Sequence, residues 1–293
     1  MRILNYGSLN IDHVYHVDHL VRAGETISAR DCTVGCGGKG LNQSVALAMA
    51  GAEVYHAGLV GRDGALLRRQ LEDSGVDCRF LGSTDQPNGC AIIQVDPAGE
   101  NAIVLFPGSN RALTEAEIDR TLCKFGRGDL LLVQNETNLV EHMIRRAASL
   151  GMYVALNAAP MDETARALPL GLVRWLSGNE TECAALTGRT DPEAMAEAVC
   201  SAHPELELIL TLGADGSYYR KGDFSLYIPA RRVEVADTTG AGDTFTGYLL
   251  AAFADGADPG YAMTFATAAA ALCVTRSGAS DSIPSLEEVL RAM

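Results

Sequence analysis

Tryptophan occurs once in the 293 residues, aromatic side chains make up 6% of them, and no apolar run approaches the length of a membrane span. Basic residues are also short: 23 Lys and Arg stand against 37 Asp and Glu, a formal charge of −14. Such acidity disfavours nucleic acid and anionic membrane surfaces as partners. Any anionic substrate must then be held by local positive features, meaning helix N-termini, a metal ion or a few placed Lys and Arg. The eight cysteines, at 32, 36, 78, 90, 123, 183, 200 and 273, contain no C-x-x-C pair. That argues against a zinc site or disulfide framework and for reduced structural thiols. There is no internal repeat, low-complexity tract or linker, and Met1 to Gly7 reads as a strand rather than a signal peptide, so a cytoplasmic protein is expected.

What the chain has is 47% hydrophobic residues and 30 glycines, several of them clustered in turns. The most informative turn is Asp237-Thr238-Thr239-Gly240-Ala241-Gly242-Asp243-Thr244-Phe245. It follows a short apolar alternation, Arg232 to Ala236, which predicts a strand, and it runs into a helical pattern over 241–255. Glycines at the start of a helix leave backbone N–H groups uncovered where the helix dipole also favours an anion such as phosphate. Asp243, just inside that helix, is costly beside an anion site unless it is needed, for example to orient a hydroxyl and take its proton during phosphoryl transfer. An ordinary glycine-rich turn with capping aspartates is the plainer alternative.

A second turn, Gly35-Cys36-Gly37-Gly38-Lys39-Gly40-Leu41-Asn42-Gln43, opens another helical pattern that ends near Gly51. Its G-x-G-x-x-G spacing formally matches a dinucleotide fingerprint, but the acid expected at the end of the second strand is missing: Glu53 precedes the apolar Val54 to Ala57. Gly40 after Lys39 also excludes a Walker A loop. What remains is a GGKG-x-N turn, with Lys39 and Asn42 one helical turn apart and able to reach one ligand.

Both turns, some 200 residues apart and in this order, resemble the N- and C-terminal signatures of the ribokinase-like (PfkB) family of carbohydrate kinases. The resemblance implies an α/β fold of three layers, a central mostly parallel sheet flanked by helices, with a small β lid built from segments 12–34 and 89–107 inserted in a single domain of residues 1–293. The pattern along the chain agrees. Residues 12–20 and 26–34 alternate like a strand pair, and 90–95 with 102–106 form a hairpin around Asp96 to Glu100. Beyond the Thr114-x-x-Glu117 capping box, strands and helices alternate: strands at 129–134, 152–156, 172–176 and 206–212, a hairpin around 220–223, and a long Ala-rich helix over 258–276.

The resemblance also carries roles. Asp243 would be the base, with the amides of Gly240, Ala241, Gly242 and Asp243 stabilising the transferred group. Asn10, Asp12, Gly38, Lys39, Asn42 and Glu136 would bind the sugar. Asn179, Thr211, Gly213, Gly216 and Thr267 would meet ATP, although Thr267 stands where relatives often carry Asn or His. Glu182 of the N-x-x-E pattern would hold Mg²⁺ through water, and Asp237, Thr239, Cys273, Arg276, Gly278 and Ser282 match the places around a K⁺ ion. As residues alone, Asn10 and Asp12 fit a polar loop equally well, and Asn179 to Glu182 fits an acid-rich first turn of a helix. The expected activity is ATP-dependent phosphorylation of a sugar's primary hydroxyl, with ribose favoured. Nucleosides, fructose derivatives and keto-deoxy acids share the scaffold, and a catalytically silent sugar-binding regulator is the non-enzyme alternative. A homodimer through the lid is expected.

Overall fold

The computed structural model describes residues 1–293. The chain runs β1 (Ile3–Tyr6), β2 (Asn10–His16), β3 (Asp31–Gly37), α1 (Lys39–Met49), β4 (Val54–Val60), α2 (Ala65–Asp73), β5 (Asp77–Ser83), β6 (Gly89–Val95) and β7 (Asn101–Phe106). It continues with α3 (Glu115–Leu122), β8 (Leu130–Gln134), α4 (Val140–Ser149), β9 (Tyr153–Asn157), α5 (Glu163–Arg166), β10 (Trp175–Asn179), α6 (Glu180–Thr187) and α7 (Pro192–Ala202). β11 (Glu207–Thr211), β12 (Gly216–Lys221), β13 (Phe224–Pro229), α8 (Ala241–Ala254), α9 (Pro259–Cys273) and α10 (Leu286–Ala292) complete it.

Nine strands form one sheet in the order β13-β12-β11-β10-β9-β8-β1-β4-β5. All neighbours from β5 to β11 pair parallel, and the β11-β12-β13 meander at the far edge is antiparallel. β8 shows why the sheet sits in the middle. Its Leu130 and Leu132 pack into one apolar cluster with α1, α8 and α9, while Leu131 and Val133 pack into a second cluster with α3, α4 and α7. Side chains alternate across a strand, so a continuous apolar run is what a strand covered on both faces requires. The result is three layers.

The helix starts follow local chemistry. Thr114 and Glu117 form the reciprocal capping box of α3, and Asp258 caps α9 ahead of Pro259 at its first position. A second sheet, β3-β2-β6-β7, stands apart from the first. β2 and β3 pair antiparallel from Asn10–Gly37 to His16–Asp31, and β6 lies parallel to β2 with β7 as its hairpin partner. β2 begins before and β3 ends after the expected 12–34 segment, although each is shorter at the hairpin end, so Asn10 and Gly37 belong to the small sheet and β3 leads straight into α1; β6 and β7 lie within the expected 89–107.

Three local expectations need correction. Residues 232–236 form no strand: the amides of Ala236 and Asp237 both donate to the Val274 carbonyl, so this stretch crosses the end of α9 instead of joining the sheet. The strand expected at 172–176 lies at 175–179, because Leu170–Leu172 coil into a 3₁₀ turn first. The polar-loop alternative for Asn10 fails, since Asn10 begins β2 and is buried, as is Ser8 before it. Helices α7 and α10 carry no strong signal in the sequence reading, yet both start at side-chain caps, Asp191 and Ser285.

Candidate active site

The carboxyl ends of β1, β8, β10 and β11 and the N-termini of α1 and α8 meet at one edge of the large sheet, the place where open α/β sheets hold ligands. α1 and α8 cross closely enough that a Cβ on Gly247 would come within 2.4 Å of the Ala46 Cβ. This contact lets short side chains of α1 reach Asp243, which is 8% exposed in the first turn of α8. Asn42 Nδ2 donates to Asp243 Oδ2 at 2.9 Å and Gln43 Nε2 donates to Oδ1 at 2.8 Å. The carboxylate is thus held at both oxygens.

The two glycine turns differ in what their amides do. At α1, the N–H of Lys39 donates to Glu136 Oε2 at 3.1 Å, that of Gly40 to Ser8 Oγ at 3.2 Å, and that of Leu41 to the Ser8 carbonyl at 2.9 Å. Protein groups occupy that N-terminus. At α8, Gly240 adopts φ 77° with a Cβ position only 3.2 Å from the Ala279 carbonyl, so glycine is required there. The Ala241 amide leans toward the Thr238 carbonyl at 3.3 Å, while the amides of Gly240, Gly242 and Asp243 find no acceptor. A Cβ at Gly242 would meet open space, so the approach to these amides is clear.

On the small-sheet side, Asp12 lies over Gly37, where a Cβ would fall 1.9 Å from Asp12 Oδ2. Burial first, then the charge of Glu136, lifts the Asp12 carboxyl to about 7. Asp12 Oδ1 and Asn42 Oδ1 are both buried without a hydrogen-bond partner. Buried acceptors of this kind are costly, and donors such as the hydroxyls of a polyol would satisfy them. Asn10 is anchored through its Oδ1, which accepts from Asn110 Nδ2 at 2.8 Å, leaving its own amide N–H groups to the site. Glu136 Oε2 accepts from the Ser8 hydroxyl as well as from Lys39 N–H. Burial raises the Glu136 carboxyl, opposed chiefly by the charge of Lys39. Lys39 is raised in turn, mostly by Asp243 and further by Glu136 and Glu182, so its ammonium lies among three acids.

Asn179 ends β10 and caps α6. Its Oδ1 accepts from Glu182 N at 2.8 Å and its own N–H donates to Glu182 Oε2 at 2.9 Å. The acid-rich first turn foreseen as the plainer alternative is therefore present, and it leaves Glu182 Oε1 as the oxygen a hydrated Mg²⁺ could use. Such a hard, partly engaged carboxylate fits water-mediated Mg²⁺ binding. Thr211 ends β11 beside Gly178, and Gly213 and Gly216 take φ 55° and 121°; a Cβ at Gly216 would fall 2.1 Å from the Ile228 carbonyl. Thr267 is 7% exposed and donates its hydroxyl hydrogen to the Met263 carbonyl, so it has no O–H left to donate to a nucleoside and could only accept.

Asp237 staples the last cluster. Its Oδ1 accepts from Thr239 N at 2.9 Å and its Oδ2 from Gly278 N at 3.0 Å, bringing the turn and the segment after α9 together. Burial works to raise its pKa, but these amides outweigh it and hold the group below the usual carboxylate range. Cys273 Sγ lies 3.1 Å from Ser282 Oγ and 3.9 Å from the Thr239 carbonyl. The Arg276 guanidinium pairs with Glu288, so only its main chain could face a cation here.

The residues absent from the sequence reading are Ser8, Gln43, Asn110, Asn5 and Gln134, all buried. Their signal was a polar residue inside an otherwise apolar element, as in Ile3-Leu4-Asn5-Tyr6 and Leu130-Leu131-Leu132-Val133-Gln134.

Comparison with known proteins agrees with this architecture. The model of the pfkB family of carbohydrate kinases matches residues 2–286. A ribokinase of Haemophilus influenzae is 36% identical, over 97% of this chain and 95% of its own. The structure of a ribokinase from Cryptococcus neoformans in complex with ADP superposes with a TM-score of 0.90 at 33% identity, covering 100% of this chain and 99% of that one. That of Arabidopsis thaliana ribokinase complexed with ribose and ATP gives 0.86 at 30% identity, covering 99% and 97%. A match that spans both glycine turns and every strand between them leaves one family: the chain belongs to the pfkB carbohydrate kinases, phosphotransferases that act on a sugar hydroxyl.

Proposed function

We propose that this chain transfers the γ-phosphoryl group of ATP to the primary hydroxyl of D-ribose. The observation that carries the reading is a carboxylate, Asp243, held at both oxygens beside free helix-start amides. The sugar hydroxyl oxygen bonds to the γ-phosphorus as the bond from phosphorus to the β–γ bridging oxygen breaks. ADP leaves with that electron pair, and the hydroxyl proton goes to Asp243. An ordinary carboxylate is a weak base for an alcohol, but the transfer state is loose and the hydroxyl becomes more acidic as its oxygen bonds to phosphorus, so orientation matters more than basicity. The amides of Gly240, Gly242 and Asp243 point where charge develops on the transferred group.

Asp12, Asn42, Asn10 and Glu136 would take the sugar hydroxyls, with Lys39 and the Gly38 turn closing that wall. Ribose is preferred because the orphaned acceptors of Asp12 and Asn42 call for hydroxyl donors and because the ribokinase relatives match along the whole chain. Asn179, Thr211, Gly213 and Gly216 would line the nucleotide groove, with Thr267 able only to accept there. Glu182 would hold Mg²⁺ through water, and a bound Mg²⁺ supplies positive charge to the phosphates. K⁺ would lie among the main-chain oxygens around Asp237, Thr239, Cys273, Gly278 and Ser282. The four-stranded sheet would act as a lid that excludes water and suppresses ATP hydrolysis, and would dimerise through its outer face.

An ADP-release assay with Mg-ATP, run with and without potassium across ribose, other pentoses, fructose and several nucleosides, tests the proposal. Ribose-dependent turnover that Asp243→Asn lowers by about 10²–10⁴ is the expected result. Turnover with a nucleoside and none with ribose would overturn the substrate, and ribose binding without turnover would support a regulator.

A further inference from the structure

The Asp243 carboxylate is the end of a buried chain of amides. Gln43 Nε2 donates to Asp243 Oδ1 at 2.8 Å, and Gln43 Oε1 accepts from Gln134 Nε2 at 2.7 Å. Gln134 Nε2 spends its other hydrogen on Asn5 Oδ1 at 2.9 Å. Asn5 Nδ2 spends both of its hydrogens, on the Gly40 carbonyl and on Ser44 Oγ, each at 2.8 Å. Ser44 Oγ lies 2.8 Å from Nδ1 of His56, which burial drives down to about 3 and so keeps neutral. Asn5, Gln43, Ser44, His56 and Gln134 are all 0% exposed, in a core that would otherwise be apolar.

This chain has one direction. Because both hydrogens of Gln134 and of Asn5 are committed, Gln43 can receive only a donor at its Oε1. Its own N–H is thereby forced toward Asp243. Turning the Gln43 amide over would set its oxygen against the carboxylate and its NH₂ against that of Gln134, two repulsive contacts in place of two hydrogen bonds. Asn42 is different, because its Oδ1 is free; it can exchange partners when a ligand arrives. Gln43 cannot.

We infer that Gln43 is a positioning residue, fixed by Gln134 and Asn5, that orients the Asp243 carboxylate for proton abstraction. The inference rests on Asp243 being the base. Gln43 touches neither substrate, so its loss should show in turnover and not in sugar binding. A carboxylate free to rotate about its Cβ–Cγ bond spends less of its time aligned with the hydroxyl, and misplacement on this scale costs about 10- to 100-fold in rate.

The test is steady-state kinetics with ribose and Mg-ATP on three variants. Gln43→Met keeps the length and removes the amide; it should lower kcat by about 10- to 100-fold while KM for ribose stays within about twofold. Gln43→Glu keeps the shape. Two carboxyl groups at this distance share one proton. When protonated, the substituted carboxyl can still accept from Gln134 and donate to Asp243, so activity should hold at low pH and fall as pH rises, a limb that the wild type lacks. The charged neighbours whose titration must be compared in the wild-type profile are Lys39, Glu136, Glu182 and Asp12. Wild-type kcat in Gln43→Met would overturn the inference. So would a Gln43→Glu loss that is the same at every pH and follows a fall in melting temperature, which is what packing alone would produce. Asp243→Asn separates the two levels: if it retains turnover, the base assignment fails first, whereas its loss beside an unaffected Gln43→Met removes the positioning role alone.

Discussion

Asp12 lies near enough to Glu136 for the charge of one to add to burial in lifting the other, so the Asp12 carboxyl reaches about 7. The folded chain therefore holds a proton at Asp12 that the unfolded chain has lost between the ordinary Asp value and 7. Stability falls as pH rises through that window. Asp12→Asn should raise the melting temperature at pH 8 and leave it unchanged near pH 3. Sugar binding should behave oppositely: KM for ribose should rise about tenfold from pH 8 to pH 6 as the acceptor is protonated, and lose that dependence in Asp12→Asn. A flat KM profile in the wild type would rule out Asp12 as the ionised acceptor.

The crossing of α1 and α8 depends on Gly247. Gly247→Ala forces its new methyl against Ala46 and the backbone of Leu47. Overpacking at such a contact should cost about 1–3 kcal/mol in urea unfolding. It should also lower kcat, because Asp243, one turn away, moves off Asn42 and Gln43. A destabilised variant with unchanged kcat would show that the site tolerates the wider crossing.

Asp237 ties the turn before α8 to the segment after α9. Asp237→Ala should abolish stimulation by potassium while leaving a slow, potassium-independent turnover, measured by ADP release in sodium and potassium buffers. Equal stimulation of wild type and variant would place the ion elsewhere.

The strand register sets Val34, His13, Ile92 and Val104 in one row across the small sheet, and Val34, Ile92 and Val104 are all exposed. An open apolar row on a small sheet favours pairing. Val104→Asp should shift the sedimentation mass from dimer to monomer, and a wild type that sediments as a monomer would dispose of the lid dimer.

Much of the fold was legible because its signals are local. The apolar strands, the capping box at Thr114 and the acid-rich first turn after Asn179 each act through near neighbours in the chain. Where signals misled, a competing contact won: residues 232–236 alternate like a strand, but the amides of Ala236 and Asp237 go to Val274 at the end of α9, and the 3₁₀ turn at 170–172 delays β10. Asp243, Asn42, Lys39, Asp12 and Glu136 were named from two motifs and two loop acids, and they do converge.

The sequence by itself determined the layered α/β architecture and the two glycine turns, because periodicity and capping are written within a few residues. Only the tertiary structure decided that Ser8 and Glu136 fill the N-terminus of α1 while that of α8 stays open, and that Gln43, 200 residues before Asp243, holds it in place. A buried amide in an apolar strand reads as an interruption until its partner is known. That partner comes from another strand or helix, brought alongside by crossovers whose contacts leave no periodic trace.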